Sequence, residues 1–200
     1  MNKTKIALLG GAFNPPTLGH IELAKHVIAN TEITEVWLLP CYGHRSGKEL
    51  EDAIHRSKMC VIASVGHRDI RACKYEIHKK MEGSTFDFLT DFLSNPSFEG
   101  DFRYIIGQDN ANEFHTWHRS EELKELCNFI VVGRTGYEDL DKDAWYHQEP
   151  HIYLPWEGLV ECSSTDARNH LKSYGRREYL DILNANVHNY ILRNDLYKGE

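Results

Sequence analysis

The 200-residue sequence has no run close to the roughly 20 consecutive apolar residues that a membrane-spanning helix requires. Its opening residues, MNKTKIALLGG, lack an apolar segment of signal-peptide length. Basic residues are in deficit, 23 Lys and Arg against 30 Asp and Glu, for a net charge of −7. A broad nucleic-acid-binding face needs clustered cations and is disfavoured on that balance. The five cysteines, Cys41, Cys60, Cys73, Cys127 and Cys162, are odd in number and form no C-x-x-C pair. That spacing speaks against a disulfide scaffold and against a structural zinc site. The expectation is a cytoplasmic protein whose partners include no nucleic acid and no membrane. A small anionic ligand, which needs only a few local cations, stays open.

Two glycine patterns are also missing. There is no G-x-x-x-x-G-K-[ST] of a P-loop and no G-x-G-x-x-G of a dinucleotide fold. Ser46-Gly47-Lys48 lacks the upstream glycine that a P-loop would need. No internal repeat and no low-complexity segment occurs. What remains is ample core material: 41% hydrophobic and 11% aromatic residues in a length that suits one domain, 1–200.

Apolar runs at Ile6–Leu9, Glu35–Leu39, Ile70–Cys73, Phe102–Ile106, Phe129–Val132 and Ile152–Leu154 read as strands. Between them lie helical patterns from Leu18 to Ile28, Leu50 to Ser64, Ser84 or Thr85 to Leu93, and Glu121 to Cys127. Two more run from Ser163 or Ser164 to Tyr174 and from Ala185 to Arg193. Gly133–His151 reads as an acidic surface excursion. Alternating strands and helices predict an α/β fold, a doubly wound and mostly parallel sheet covered on both faces. Ligands in such sheets bind beyond the carboxyl ends of the strands. The residues to inspect are therefore Gly10–His20, Pro40–Lys48, Gly107–Trp117, Gly133–Arg134 and Cys162–Arg168.

The first of these, GGAFNPPTLGH, has a physical logic. Gly10 and Gly11 carry no Cβ and let a ligand approach the backbone. Pro15 and Pro16 stiffen the turn. Thr17 sits at a helix N-cap, where unpaired N–H groups and the helix dipole favour phosphate. His20 falls in the first turn of that helix, and Gly19 keeps the approach open. The far segment CSSTDARNHL offers Ser163, Ser164 and Thr165 at a second helix start, with Arg168 one turn on, able to fork onto phosphate oxygens.

GGAFNPPTLGH resembles the G-G-x-F-[DN]-P-x-[HT]-x-G-H signature of the nucleotidyltransferase superfamily that transfers adenylyl or cytidylyl groups. Thr17 stands where many members have His, and Asn14 where others have Asp. CSSTDARNHL resembles the S-[ST]-T-x-x-R element of the same superfamily. Within it, IIGQDNANEFHTWHRSEELKELCNFIVVGRTGY is similar to the G-x-D … W … L … V-x-x-R-x-G-Y pattern of nicotinate- and nicotinamide-mononucleotide adenylyltransferases. GSTFDFLTDFL resembles their S-Y-T-x-x-T-L helix start, and ILNANVHNYILRNDLY their C-terminal helix. The likeness spans nearly the whole chain. It implies a Rossmann-like nucleotidyltransferase fold that moves an adenylyl group from ATP to nicotinate (or nicotinamide) mononucleotide in NAD biosynthesis.

The resemblance also implies roles. His20 and Arg168 become catalytic, His20 at the α-phosphate. Gly10, Gly11, Ala12, Phe13, Thr17, Gly107, Asp109, Ser164 and Thr165 become ATP contacts, alongside His20 and Arg168. Asn14, Ser84, Thr85, Trp117 and Arg134 fall on the mononucleotide side, Trp117 as a stacking face. In PCYGHRSGKEL, a shortened version of the family's basic loop, His44, Arg45 and Lys48 are the phosphate-facing candidates. Taken singly, Trp117 also reads as a core aromatic, Asp109 as a helix cap and Arg134 as a surface charge. Mg²⁺ is expected to arrive with ATP, with no protein metal site: His115-x-x-His118 has no third ligand and no H-E-x-x-H occurs. Those two His are expected beside Trp117 instead. A sister enzyme for phosphopantetheine or glycerol phosphate, and a nucleotide-binding regulator without turnover, remain alternatives. A homo-oligomer stays open.

Overall fold

The computed structural model describes residues 3–43, 49–133, 143–156, 163–173 and 181–198. Its elements run β1 (Lys5–Gly11), α1 (Leu18–Asn30), β2 (Glu35–Pro40), α2 (Ala53–Ser64), β3 (Ile70–Ala72), α3 (Tyr75–Lys79) and α4 (Thr85–Ser94). Then come β4 (Asp101–Gly107), α5 (Gln108–Asn112), α6 (Ser120–Leu126), β5 (Asn128–Val132), β6 (Ile152–Leu154), α7 (Ser164–Ser173) and α8 (Ala185–Arg193). The strands form one six-stranded sheet in the order β3-β2-β1-β4-β5-β6, and every pairing is parallel. This is a Rossmann-like order. Its topological switch point lies between β1 and β4, where the connections leave toward opposite faces and open a crevice.

Alternation along β1 shows why both faces are covered. Ala7 and Leu9 enter one core with Ile21 and Val27 of α1, Met59 of α2, Ala167 of α7 and Val187 of α8. Ile6 and Leu8 enter the other with Phe88 and Phe92 of α4, Phe114, Leu123 of α6 and Phe129. A strand buried on both sides reads as an unbroken apolar run, which is how Ile6–Leu9 appears in the sequence. Among the described residues no helix is long and apolar enough to cross a membrane.

Local chemistry sets the helix starts. α2 begins three residues later than its apolar pattern, because Asp52 caps it by accepting from the N–H groups of Ile54 and His55. α4 begins at a capping box in which Ser84 and Asp87 bond each other's backbone N–H. Helices as short as α3 and α5, five residues each, carry too few turns to show a periodicity and are absent from the sequence reading. The predicted Gly133–His151 surface excursion is corrected at its far end. Tyr146 is buried, and Trp145 packs on Phe114 and Phe129 with ring centroids 4.6 and 5.7 Å apart. Aromatic burial outweighs the acidic composition around it; residues 134–142 lie outside the described residues.

Gly10 owes its identity to this packing. A Cβ added there would meet the Tyr104 hydroxyl at 1.9 Å. The space assigned in the sequence reading to a ligand is held by the protein's own phenol. Gly10→Ala should therefore destabilise the fold by about 1–3 kcal/mol in urea unfolding. The loss should shrink in a Tyr104→Phe background, because the two sites share one clash. Equal losses in both backgrounds would place the strain elsewhere.

Candidate active site

A cleft of about 570 Å³ opens at the carboxyl ends of β1 and β4, at the switch point. It is lined by Gly10, Gly11, Ala12 and Gly107 and by Ser84, Thr85 and Phe86 with Trp117 and His118. The sheet and α4 thus bring together residues from three of the segments singled out in the sequence. Trp117 is half-buried: it packs on Phe114 at 5.1 Å and also lines the cleft. His118 lines the cleft too, whereas His115 is exposed on a 3-10 turn.

Beside the cleft, the turn from Ala12 to Thr17 is held from several directions. Phe13 takes a left-handed φ of +45° with its ring buried, and that ring packs against His20 at 4.9 Å. The Thr17 N–H donates to His20 Nδ1 at 3.0 Å, and the Thr17 hydroxyl lies 2.8 Å from the same nitrogen. A nitrogen that accepts carries no proton, so the neutral ring holds its own proton on Nε2. Burial pulls the His20 pKa down to about 4, against a smaller opposing effect of the Thr17 backbone. His20 is thus a neutral donor, not a cation. Thr17, expected at phosphate, is instead buried behind His20.

The far motif meets the same turn. Ser164 Oγ donates to the Pro15 carbonyl at 2.8 Å, and Arg168 Nη1 donates to the Asn14 carbonyl at 2.8 Å. Arg168 also reaches the Ser164 carbonyl and Thr165 Oγ1, at 3.1 and 3.2 Å. The imidazole of His20 and the guanidinium of Arg168 are thereby both built onto one turn, from the two ends of the chain. Neither lines the 570 Å³ cleft itself.

Other expected contacts are placed differently. The Asn14 side chain is buried, and its Oδ1 accepts from the Tyr197 hydroxyl at 2.8 Å and the Glu51 N–H at 3.1 Å. It ties the turn to the C-terminal region and to the entry of α2, which removes that oxygen from the ligand side. The N–H and hydroxyl of Ser84 are committed to the Asp87 carboxylate, both at 2.7 Å. Thr85 bonds Tyr104 through its side chain. Asp109 sits in α5 with Oδ1 2.5 Å from where a Gly107 Cβ would be, and it is Asn110 that lines the cleft. His44, Arg45, Lys48, Arg134 and Cys162 lie outside the described residues. Among the described residues no group of three His, Cys, Asp or Glu is placed to hold a metal ion.

The sequence reading missed Arg56. Its guanidinium is 1% exposed and donates to the carbonyls of Ala12, Tyr42 and Glu51 at 2.7, 2.9 and 2.8 Å. It joins the loops after β1 and β2 from beneath. A signal existed: Arg56 falls on the same stripe of α2 as Ala53, Met59, Cys60 and Ala63, all buried. A cation at helical spacing among core residues is seldom a surface charge.

The cytidylyltransferase-like family model matches residues 8–170. A Bacillus cytotoxicus protein named "Probable nicotinate-nucleotide adenylyltransferase" is 31% identical, covering 98% of this chain and 99% of the relative. One of the same name from Anaeromyxobacter dehalogenans is 36% identical over 66% of this chain and 72% of its own length. Among solved structures, a Plasmodium falciparum nicotinic acid mononucleotide adenylyltransferase complexed with NaAD is similar with a TM-score of 0.80. It covers 97% of each chain at 22% identity, a likeness of fold. The chain belongs to the cytidylyltransferase-like family and, within it, to the nicotinate-nucleotide adenylyltransferases.

Proposed function

We propose that this chain transfers the adenylyl group of ATP to nicotinate mononucleotide, giving the dinucleotide and pyrophosphate. The observation that carries the reading is the cleft at the switch point, lined by glycine backbone and by Trp117 with the start of α4. The glycine backbone suits a nucleotide phosphate, Trp117 a flat pyridine ring. The family membership supports adenylyl chemistry on this acceptor.

The acceptor's 5′-phosphate is already an anionic nucleophile. One of its oxygens attacks the α-phosphorus of ATP, the bond from that phosphorus to the bridging oxygen breaks, and pyrophosphate leaves. No general base and no covalent enzyme intermediate is required. Catalysis consists of aligning two anions and stabilising the charge that gathers on the α-phosphate and the leaving group. His20 donates its Nε2–H to an α-phosphate oxygen, and Thr17 holds the ring in the donor tautomer. Arg168 meets the β- and γ-phosphates, while Ser164 and Thr165 fix its helix start against the turn. Mg²⁺ enters as part of the substrate, MgATP, keeping phosphate and water ligands. The N–H groups of Thr85 and Phe86, at the start of α4, receive the nicotinate carboxylate.

Turnover with nicotinate and nicotinamide mononucleotides side by side, read by pyrophosphate release, tests the reading. Phosphopantetheine and glycerol phosphate serve as further acceptors. Faster turnover with either of those would overturn it. Trp117→Ala should raise KM for the mononucleotide about 5- to 10-fold, the worth of one aromatic stack. KM for ATP should move less than about twofold; equal changes would remove Trp117 from the ring site.

A further inference from the structure

Glu76 lines the cleft, yet no motif singled it out. It stands on α3, and its Oε1 accepts the Tyr42 N–H at 2.9 Å. Arg56, from α2, donates to the carbonyl of the same Tyr42 at 2.9 Å and to the Ala12 carbonyl at 2.7 Å. Tyr42 is therefore held at both of its backbone polar atoms by opposite charges from two different helices. The neighbouring Cys41 N–H donates to the Gly11 carbonyl at 3.0 Å, and Cys41 and Gly43 line the cleft with Glu76.

This arrangement is an expensive way to secure a loop for stability alone. The two groups lose hydration, and their mutual attraction is too weak to offset the loss at Glu76; well-packed apolar residues generally do as well or better. What charges add is directed, charge-assisted hydrogen bonding that fixes a backbone in one position. Cys41 and Gly43 line the same cleft as Ser84, Thr85 and Trp117, the residues given above to the mononucleotide.

The geometry points to Glu76 as a positioning residue for the acceptor: with Arg56 beneath, it sets the Cys41–Gly43 segment where the mononucleotide must seat. The inference rests on the adenylyl-transfer reading above. An ionised carboxylate is a stronger acceptor for the Tyr42 N–H than a protonated one. The described ionisable groups facing Glu76 are Arg56, which favours the charged form, and Cys41, Cys73 and Tyr104, each also pushed up by burial. Burial outweighs Arg56 and the Tyr42 N–H and raises the Glu76 carboxyl to about 7. The loop is therefore held firmly above that pH and released as the carboxylate takes up a proton below it.

The test is steady-state kinetics of the full chain with nicotinate mononucleotide and ATP, from about pH 6 to 8.5, with Glu76→Gln and Glu76→Ala alongside thermal melts. Glu76→Gln keeps an acceptor that does not titrate. Its KM for the mononucleotide should lack the rise of about 10-fold that the unaltered protein shows toward pH 6. Ionisation of the substrates is common to both proteins and cancels in the comparison. Glu76→Ala should raise that KM about 10-fold at pH 8, with KM for ATP changed less than about twofold. An unchanged pH dependence in Glu76→Gln, or equal shifts in both KM values in Glu76→Ala, overturns the inference, as does a lowered melting temperature with unaltered KM. An unaltered protein that turns over no mononucleotide overturns the adenylyl-transfer reading and this inference with it. An active protein with indifferent Glu76 variants overturns this inference only.

Discussion

His20→Ala should lower kcat by about 10²-fold or more while the melting temperature stays near that of the unaltered protein. Removing one preorganised donor from a developing oxyanion has that size, about 2.7–4 kcal/mol of transition-state stabilisation. The structure gives the prediction a sharper form. His20 is held as a neutral Nε2–H donor by the Thr17 N–H on Nδ1, and burial pulls its pKa down to about 4. kcat/KM reports groups of the free enzyme. It should therefore show no inflection from His20 between about pH 5.5 and 9, since the ring stays neutral throughout. His20→Gln, a neutral donor of similar reach, should recover about 10-fold of the loss. A kcat/KM that falls as pH rises through the ordinary histidine range, and only in the protein with His20, would make the ring a cation and refute the tautomer argument. Near-normal kcat in His20→Ala would remove the residue from the chemistry altogether.

Arg168→Ala should lower kcat/KM for ATP by about 10²-fold, more than kcat/KM for the mononucleotide. Two losses combine. A cation leaves the triphosphate, and the Asn14 carbonyl loses a charge-assisted donor at 2.8 Å. Each hydrogen bond to a charged group contributes about 1.5–3 kcal/mol. Arg168→Lys separates the two. It restores the charge but not the fork that spans the Asn14 carbonyl, the Ser164 carbonyl and Thr165 Oγ1. It should regain part of the affinity for ATP and little of kcat. Initial rates with each substrate varied at saturation of the other measure both. Equal losses toward the two substrates would show that Arg168 serves the turn as a whole rather than the triphosphate.

These predictions stand on features of different legibility. The six strands were readable because a doubly buried parallel strand is an apolar run, and the run length is local information. The helix starts at Thr17, at Ser84 or Thr85 and at Ser163 or Ser164 were readable because a cap lies within three residues of what it caps. The Gly10–His20 and Cys162–Arg168 segments stood out for the same reason: each is short, with its polar residues and glycines at a fixed spacing.

The partners of those elements were not readable. Gly10 is glycine because Tyr104, one strand across in the sheet, occupies its side-chain space. Asn14 is buried because Tyr197, 183 residues away, donates to it. Arg56 and Glu76 reach Tyr42 from two helices that only the packed sheet brings to one loop. The sequence by itself determined the alternation of elements, the sheet type and the two helix-start segments, because each is written in neighbouring residues. Tertiary structure decided which polar atoms face a ligand and which are already satisfied inside, because a buried donor or acceptor is spent on whatever the fold brings within about 3 Å of it.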